Sequence, residues 1–326
     1  MKLFRRFWPY FLLAVLIACN VTVWMQRERI ADWWRLRNYQ APTEIAALVS
    51  DTQLTAEGQR LFYINHPSLE GKDAFNKHCS DYGEETAVLG CYHGNRRGIY
   101  LYAVTDPRLE GVRQVTAAHE MLHQAYDRLD GEEKKRIGRL LQRFYEAQLS
   151  DQTVRAKLEN YNESDADLVN EMHSIFGTEV RALSPELEVY YKRYFKDRLK
   201  VVGYGEAYQG EFTRRKELVK QYNAQLEELK GQFLTNKAAL NGKLDQLKSM
   251  EKEIDQALAT GDRPLYEAAV DSYNELVDAY NSQLSTTRRI IDTYNRTLEA
   301  RKEVTLQEHE LYQALDSHLG PEQQQQ

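Results

Sequence analysis

The sequence has few chain breakers and no excess of positive charge. Its 326 residues include 17 glycines and 7 prolines, and 28% of them are charged. So few glycines and prolines among so many charges are typical of a mostly helical protein, and the length favours two domains. The net charge is −6, whereas nucleic-acid-binding proteins usually carry a basic surface, so we expect no nucleic-acid partner.

Cysteine is scarce as well, with three residues in the whole chain. Cys79 and Cys91 enclose a short polar loop, and an oxidising compartment would favour a disulfide there. Such a bond would stabilise the fold by about 3 kcal/mol if it acts through the entropy of the unfolded chain. His78 and His93 flank the pair, so a Cys/His metal site is the alternative, although its spacing fits no usual zinc motif.

One long uncharged run is present, and it lies at the N-terminus. Lys2, Arg5 and Arg6 precede a segment from Phe7 to Met25 that carries no charged residue. About 20 apolar residues cross a bilayer as a helix, so residues 1–26 are predicted to be a single-pass membrane anchor. The positive-inside rule then places the chain after residue 26 outside the cytoplasm.

The same segment allows a second interpretation. Leu16-Ile17-Ala18-Cys19 resembles the lipobox of bacterial lipoproteins, which would make residues 1–18 a cleaved signal and Cys19 the site of lipidation. We favour the uncleaved anchor, because apolar residues continue past Cys19 to Trp24. Both interpretations predict a location at the bacterial cytoplasmic membrane, with the remaining domains outside.

Residues 27–205 are predicted to be mostly helical with a short β-sheet, an α+β arrangement. Gly98–Val104 is aromatic and β-branched and stops before Asp106-Pro107, as a strand does. Helical spacing returns from Arg113, and we expect Gly131 to end that helix. A second helix is predicted from Glu132 to about Leu149. A third begins at the capping pair Ser164 and Asp167, runs through Phe176 and is closed by Gly177. A fourth begins at Ser184-Pro185.

The C-terminal part has a different pattern. Gly203-Tyr204-Gly205 is predicted to be a hinge, and residues 206–318 carry apolar residues at heptad spacing on both sides of Gly261-Asp262-Arg263-Pro264. Two arms of about 50 residues, each about 75 Å long, would form an antiparallel coiled-coil hairpin. The hairpin is expected to bind a protein partner or a second copy of the chain. Residues 319–326 are expected to be a disordered tail.

A chemical motif lies inside the helix that follows the strand. His119-Glu120-Met121-Leu122-His123 has the form H-E-x-x-H. Residues four apart share a helix face, so both imidazoles can bind one zinc ion, and Glu120 lies beside it as a base for water. This spacing also arises by chance on solvated helix faces in about one chain in a hundred, so a third ligand is needed to support the assignment.

The segment downstream supplies that ligand through a resemblance. Asn170-Glu171, followed by Ser174 and by Ile175–Thr178, resembles the corresponding helix of the thermolysin-like gluzincin metallopeptidases. The resemblance covers about residues 98–180. It implies that Zn²⁺ is bound by His119, His123 and Glu171.

The same resemblance implies that Glu120 is the general base of peptide hydrolysis. His173 is an alternative or auxiliary ligand. A further donor would stabilise the oxyanion, and His173, Tyr190, Tyr191 and Tyr194 are the candidates.

The match to the gluzincin helix is not complete. One residue is missing between Ser174 and Ile175, where the family has an aspartate that orients a zinc-binding histidine. Asp127 and Asp167 are candidates for that auxiliary role. In zincins that this chain resembles, the strand before the motif lies at the sheet edge, so an extended peptide is expected to pair with Gly98–Val104.

The predicted function is that of a membrane-anchored, extracytoplasmic zinc metallopeptidase acting on a peptide or protein. Two other functions stay open. One is a non-enzymatic coiled-coil scaffold of the cell envelope with a zinc-binding domain. The other is a zinc amidase that acts on cell-wall peptides with the same metal chemistry. The presence of Glu120 with a full ligand set favours the enzyme.

Overall fold

The computed structural model describes residues 2–79, 88–159 and 165–317. It confirms a mostly helical protein with a small sheet and a long helical hairpin. The strands are β1 (Ser68–Glu70), β2 (Gly90–His93) and β3 (Gly98–Tyr102). The helices are α1 (Lys2–Leu36), α2 (Thr43–Asp51), α3 (Ala56–Tyr63), α4 (Lys72–His78), α5 (Val112–Asp127), α6 (Gly131–Ala147), α7 (Gln152–Glu159), α8 (Asp165–Thr178), α9 (Pro185–Tyr191), α10 (Arg198–Thr260) and α11 (Arg263–Leu315).

The chain divides into two compact units. Met1–Gln209 with Gln313–Gln326 forms the first, and Gly210–Tyr312 forms the second. The first unit contains the sheet and the principal hydrophobic core. The tail predicted at 319–326 and the capping residue Ser164 lie outside the described residues.

The sheet has the order β1-β3-β2 among the described strands, with β1 parallel and β2 antiparallel to β3. The prediction that the strand beginning at Gly98 lies at the sheet edge was therefore wrong. β3 is enclosed because β2 folds back on it through a tight turn with Asn95 and Arg96 at positive φ. The edge strand on that side is β2.

One predicted helix end was wrong. Gly131 opens α6, because the side chain of Asp130 accepts hydrogen bonds from the backbone N–H groups of Glu132 and Glu133. Gly177 lies one residue before the end of α8, close to the predicted end, and a Cβ atom there would be 2.3 Å from the Cδ1 atom of Leu122. Glycine is needed there for the close approach of α8 to α5.

The predicted hinge at Gly203-Tyr204-Gly205 was also wrong, because α10 runs through both glycines without a break. The first turns of α10 are packed into the core: Val201 and Val202 are fully buried. Arg198 binds the carboxylate of Glu188 and backbone carbonyls near the end of α8. This packing outweighs the low helix propensity of glycine.

The second unit has the turn that the sequence predicts. Gly261 adopts a positive φ of 73° after α10, and the carboxylate of Asp262 accepts a hydrogen bond from the backbone N–H of Leu265 in α11. Leu226, Leu229 and Leu247 are buried, as the heptad pattern predicts. Other predicted seam residues stay exposed, since two helices enclose only a narrow seam: Leu244, Leu258 and Ile291.

The N-terminal helix α1 presents apolar side chains to solvent over residues 11–25: Phe11, Leu13, Val15, Leu16, Ile17, Val21, Val23, Trp24 and Met25. Among the described residues, no helix meets the length and apolarity that a membrane span requires. The anchor over residues 1–26 stays a prediction.

The other end of α1 is held by a buried charge cluster. Asp32 has 1% of its side chain exposed and lies among three arginines from separate elements. Its Oδ1 atom accepts hydrogen bonds from Arg128 at 2.7 Å and Arg96 at 3.2 Å, and its Oδ2 atom accepts one from Arg60. The cluster joins α1 to α3, to the β2–β3 turn and to the end of α5.

Replacing Asp32 with asparagine should destabilise the first unit by about 3 kcal/mol, because it leaves partly buried arginines without their countercharge. Glu28→Gln is the matched control. Glu28 also contacts Arg96 and Arg128, but 54% of its side chain is exposed, so its loss should cost less than about 1 kcal/mol. Urea unfolding of both variants measures the difference, and equal losses would contradict a central role for Asp32.

The predicted bond between Cys79 and Cys91 is present as a disulfide with a Cα–Cα distance of 5.9 Å. It joins the end of α4 to the edge strand β2. His78 Nδ1 lies 2.8 Å from a carboxylate oxygen of Glu70, and His93 Nε2 lies 2.8 Å from the carbonyl oxygen of His78 and 3.6 Å from Cys91 Sγ. The sulfur atoms are thus committed to the disulfide.

Candidate metal centre

Two packed helices bring the predicted ligands together. α5 carries His119, Glu120 and His123, and α8 carries Glu171. The helices meet through fully buried apolar side chains, including Leu122 of α5 and Ile175 of α8. Because Gly177 allows α8 to approach α5 closely, the carboxylate of Glu171 reaches the two imidazoles.

Three ligand atoms converge. The Nε2 atoms of His119 and His123 lie 3.0 Å apart. The Oε1 atom of Glu171 lies 3.4 Å from His119 Nε2, and its Oε2 atom lies 3.5 Å from His123 Nε2. Among the described residues, these three side chains form the group able to hold a metal ion.

The donor set fits zinc. Two imidazoles and one carboxylate are a common set of protein ligands for a catalytic zinc ion, with metal–ligand distances of about 2.0–2.2 Å. Donors on such a tetrahedral ion stand about 3.3–3.6 Å from one another. The three distances observed here lie close to that range, so an ion needs little rearrangement of the side chains.

Glu120 differs electrostatically from Glu171. Burial raises the pKa of Glu120 to about 7, against the opposing effect of His123. Burial also acts to raise the pKa of Glu171, but the adjacent imidazoles of His119 and His123 hold it well below the usual range. The two carboxyl groups beside the imidazoles therefore titrate in opposite directions from their ordinary values.

The edge strand β2 lies directly against Glu120. A Cβ atom at Gly90 would be 2.5 Å from Thr116 Cγ2 and 3.0 Å from both the Cγ and Oε1 atoms of Glu120. The backbone of β2 can therefore approach the carboxylate only because residue 90 has no side chain.

Gly90→Ala should displace β2 and destabilise the protein by about 2 kcal/mol through overpacking. Gly71→Ala is the control, because a Cβ atom there meets no other atom within 4 Å. It should change the free energy of unfolding by less than about 0.5 kcal/mol. Chemical unfolding tests both variants, and a Gly90→Ala protein as stable as the parent would contradict the close contact.

Sequence reasoning overlooked a contact on the far side of His123. The Oγ atom of Ser174, a fully buried residue, lies 3.3 Å from His123 Nδ1. The position of Ser174, one turn after Glu171, could have indicated it. Of the predicted auxiliary residues, Asp127 accepts a hydrogen bond from the hydroxyl of Tyr92 at 2.9 Å, and Asp167 is exposed on α8.

The predicted oxyanion donors form a buried cluster of their own. His173 is fully buried, with its Nε2 atom 2.9 Å from the hydroxyl of Tyr190. The Tyr190 hydroxyl lies 3.2 Å from that of Tyr194, and Tyr191 donates a hydrogen bond to the carbonyl oxygen of His173. Burial lowers the pKa of His173 to about 3, so its ring stays neutral. The cluster packs the core, and His173 is not in the group of three ligands.

Comparison of the chain with protein-family models, with curated proteins and with solved structures gave no match. The resemblance to the gluzincins stays a prediction from the sequence motifs between residues 98 and 180.

Proposed function

We propose that this protein is a zinc-dependent metallopeptidase. The observation that carries the proposal is the convergence of His119, His123 and Glu171 from two helices, with the buried carboxyl of Glu120 one residue away from the first ligand. Nothing in the packing of a helical core requires two histidines and two glutamates to meet, and burying such groups is costly unless they are paired or bind a metal.

A bound zinc ion would supply Lewis acidity towards the scissile carbonyl and towards water. His119, His123 and Glu171 would hold it. Glu120 would remove a proton from the attacking water and later deliver it to the departing amine, a role suited to a buried carboxyl group beside the ligands.

The edge strand β2 supports a peptide as the substrate. Because Leu89 accepts a hydrogen bond from the backbone N–H of Tyr102 in β3, the alternation of the strand directs the backbone groups of Gly90 towards the outer edge. An extended peptide added there would run beside Glu120. We therefore propose that the substrate pairs with β2, and not with Gly98–Val104 as the sequence predicted.

The proposal is tested with the purified full-length chain, stripped by a chelator and reloaded with zinc. We expect about one zinc ion per chain and cleavage of an unfolded protein such as casein that disappears on stripping and returns on reloading. Zinc binding without cleavage of casein or of cell-wall peptides would favour the scaffold function. Cleavage of cell-wall peptides alone would favour the amidase.

We further propose that α1 attaches the protein to a bacterial cytoplasmic membrane, with the residues after α1 outside the cytoplasm. The exposed apolar side chains between Phe11 and Met25 support this attachment, as does the disulfide, which forms in oxidising compartments. Membrane fractionation after high-salt washing tests it, and recovery of the whole chain in the supernatant would contradict it.

A further inference from the structure

Ser174 and Glu171 reach the same histidine from one helix. They are three residues apart on α8, so both project towards α5. Glu171 Oε2 lies 3.5 Å from His123 Nε2, whereas Ser174 Oγ lies 3.3 Å from His123 Nδ1. The imidazole of His123 is therefore held at both nitrogen atoms by side chains of α8.

We propose that Ser174 is a positioning residue that accepts the Nδ1–H hydrogen bond of His123 and thereby directs the Nε2 lone pair at the metal. An imidazole can bind a metal through Nε2 only when the proton resides on Nδ1, and a partner at Nδ1 selects that tautomer and fixes the ring orientation. Ser174 is fully buried, so water does not replace its hydroxyl.

The group beside His123 Nδ1 is a serine hydroxyl and not a carboxylate. Ile175 follows Ser174 directly, and Asp127 at the end of α5 accepts a hydrogen bond from Tyr92. A neutral hydroxyl polarises the imidazole less than a carboxylate does. With zinc bound, the site would therefore have a more positive net charge than a site with a carboxylate beside His123, because Glu171 is its one anionic ligand.

The inference rests on the proposed metal site, and Ser174→Ala tests it with two readouts. Alanine favours helix, so the variant should fold. We expect the zinc dissociation constant, measured by chelator competition, to rise about tenfold. We also expect nitrogen-15 NMR of the metal-free protein to show His123 shifting away from the Nδ1–H tautomer. Ser174→Thr, which keeps the hydroxyl, should restore both properties.

Thr178→Val is the matched control. Thr178 is also fully buried on α8, one turn later, and its hydroxyl bonds to the backbone carbonyl of Ser174 at 2.7 Å. This variant should keep the parental zinc affinity and the His123 tautomer.

Unchanged affinity and tautomer in Ser174→Ala would overturn the inference, and so would an equal loss in Thr178→Val, which would indicate a general packing effect. If Ser174→Ala shows the tautomer shift while the parent protein binds no zinc, the role of Ser174 would be supported and the proposed function refuted.

Discussion

Glu120→Gln should lower kcat/KM for peptide hydrolysis by about 10³-fold and leave the zinc content at one ion per chain. Glutamine has nearly the same shape but cannot take a proton from water. Glu120 is not one of the three converging ligands, so its replacement leaves the metal donors in place. Atomic absorption and a fluorogenic peptide assay on the same preparation measure both quantities.

The control for this variant is Glu110→Gln, an exposed carboxylate just before α5. It should retain parental activity, because it lies outside the group of ligands and their base. Parental activity in Glu120→Gln would refute the assigned base. Loss of zinc from Glu120→Gln would show instead that this carboxylate holds the metal.

Glu171→Ala should weaken zinc binding by more than about 100-fold and abolish hydrolysis with it. The variant removes the one anionic ligand and leaves two neutral imidazoles, whereas catalytic zinc sites use three protein ligands. Zinc affinity by chelator competition measures the loss directly.

The matched control is Asp167→Asn, which removes a carboxylate from an exposed position one turn earlier on α8. We expect it to bind zinc as the parent does. Normal zinc affinity in Glu171→Ala would show that Glu171 is not the third ligand. An equal loss in both variants would indicate a long-range charge effect and not coordination.

The local features of the site could be predicted from the sequence. The apolar stripe around His119 and His123 predicted a helix beginning at Arg113, and α5 begins at Val112. The pairing of Cys79 with Cys91 and the turn at Gly261 also follow from short stretches of chain.

Features that depend on distant contacts could not be predicted. The end of α8 near Gly177 could be predicted, but the close approach of Gly177 to Leu122 on another helix could not. The cluster around Asp32 joins residues up to 96 positions apart, and no local pattern indicates it. Gly90 and Ser174 likewise gain their roles only where β2 and α8 meet α5.

The most direct test is the crystal structure of the zinc-loaded protein, with anomalous scattering measured at the zinc edge. We predict one strong anomalous peak within about 2.2 Å of His119 Nε2, His123 Nε2 and a carboxylate oxygen of Glu171. A loaded crystal with no peak there, and with Glu171 directed away from both imidazoles, would contradict the proposed metal centre and the hydrolytic function that depends on it.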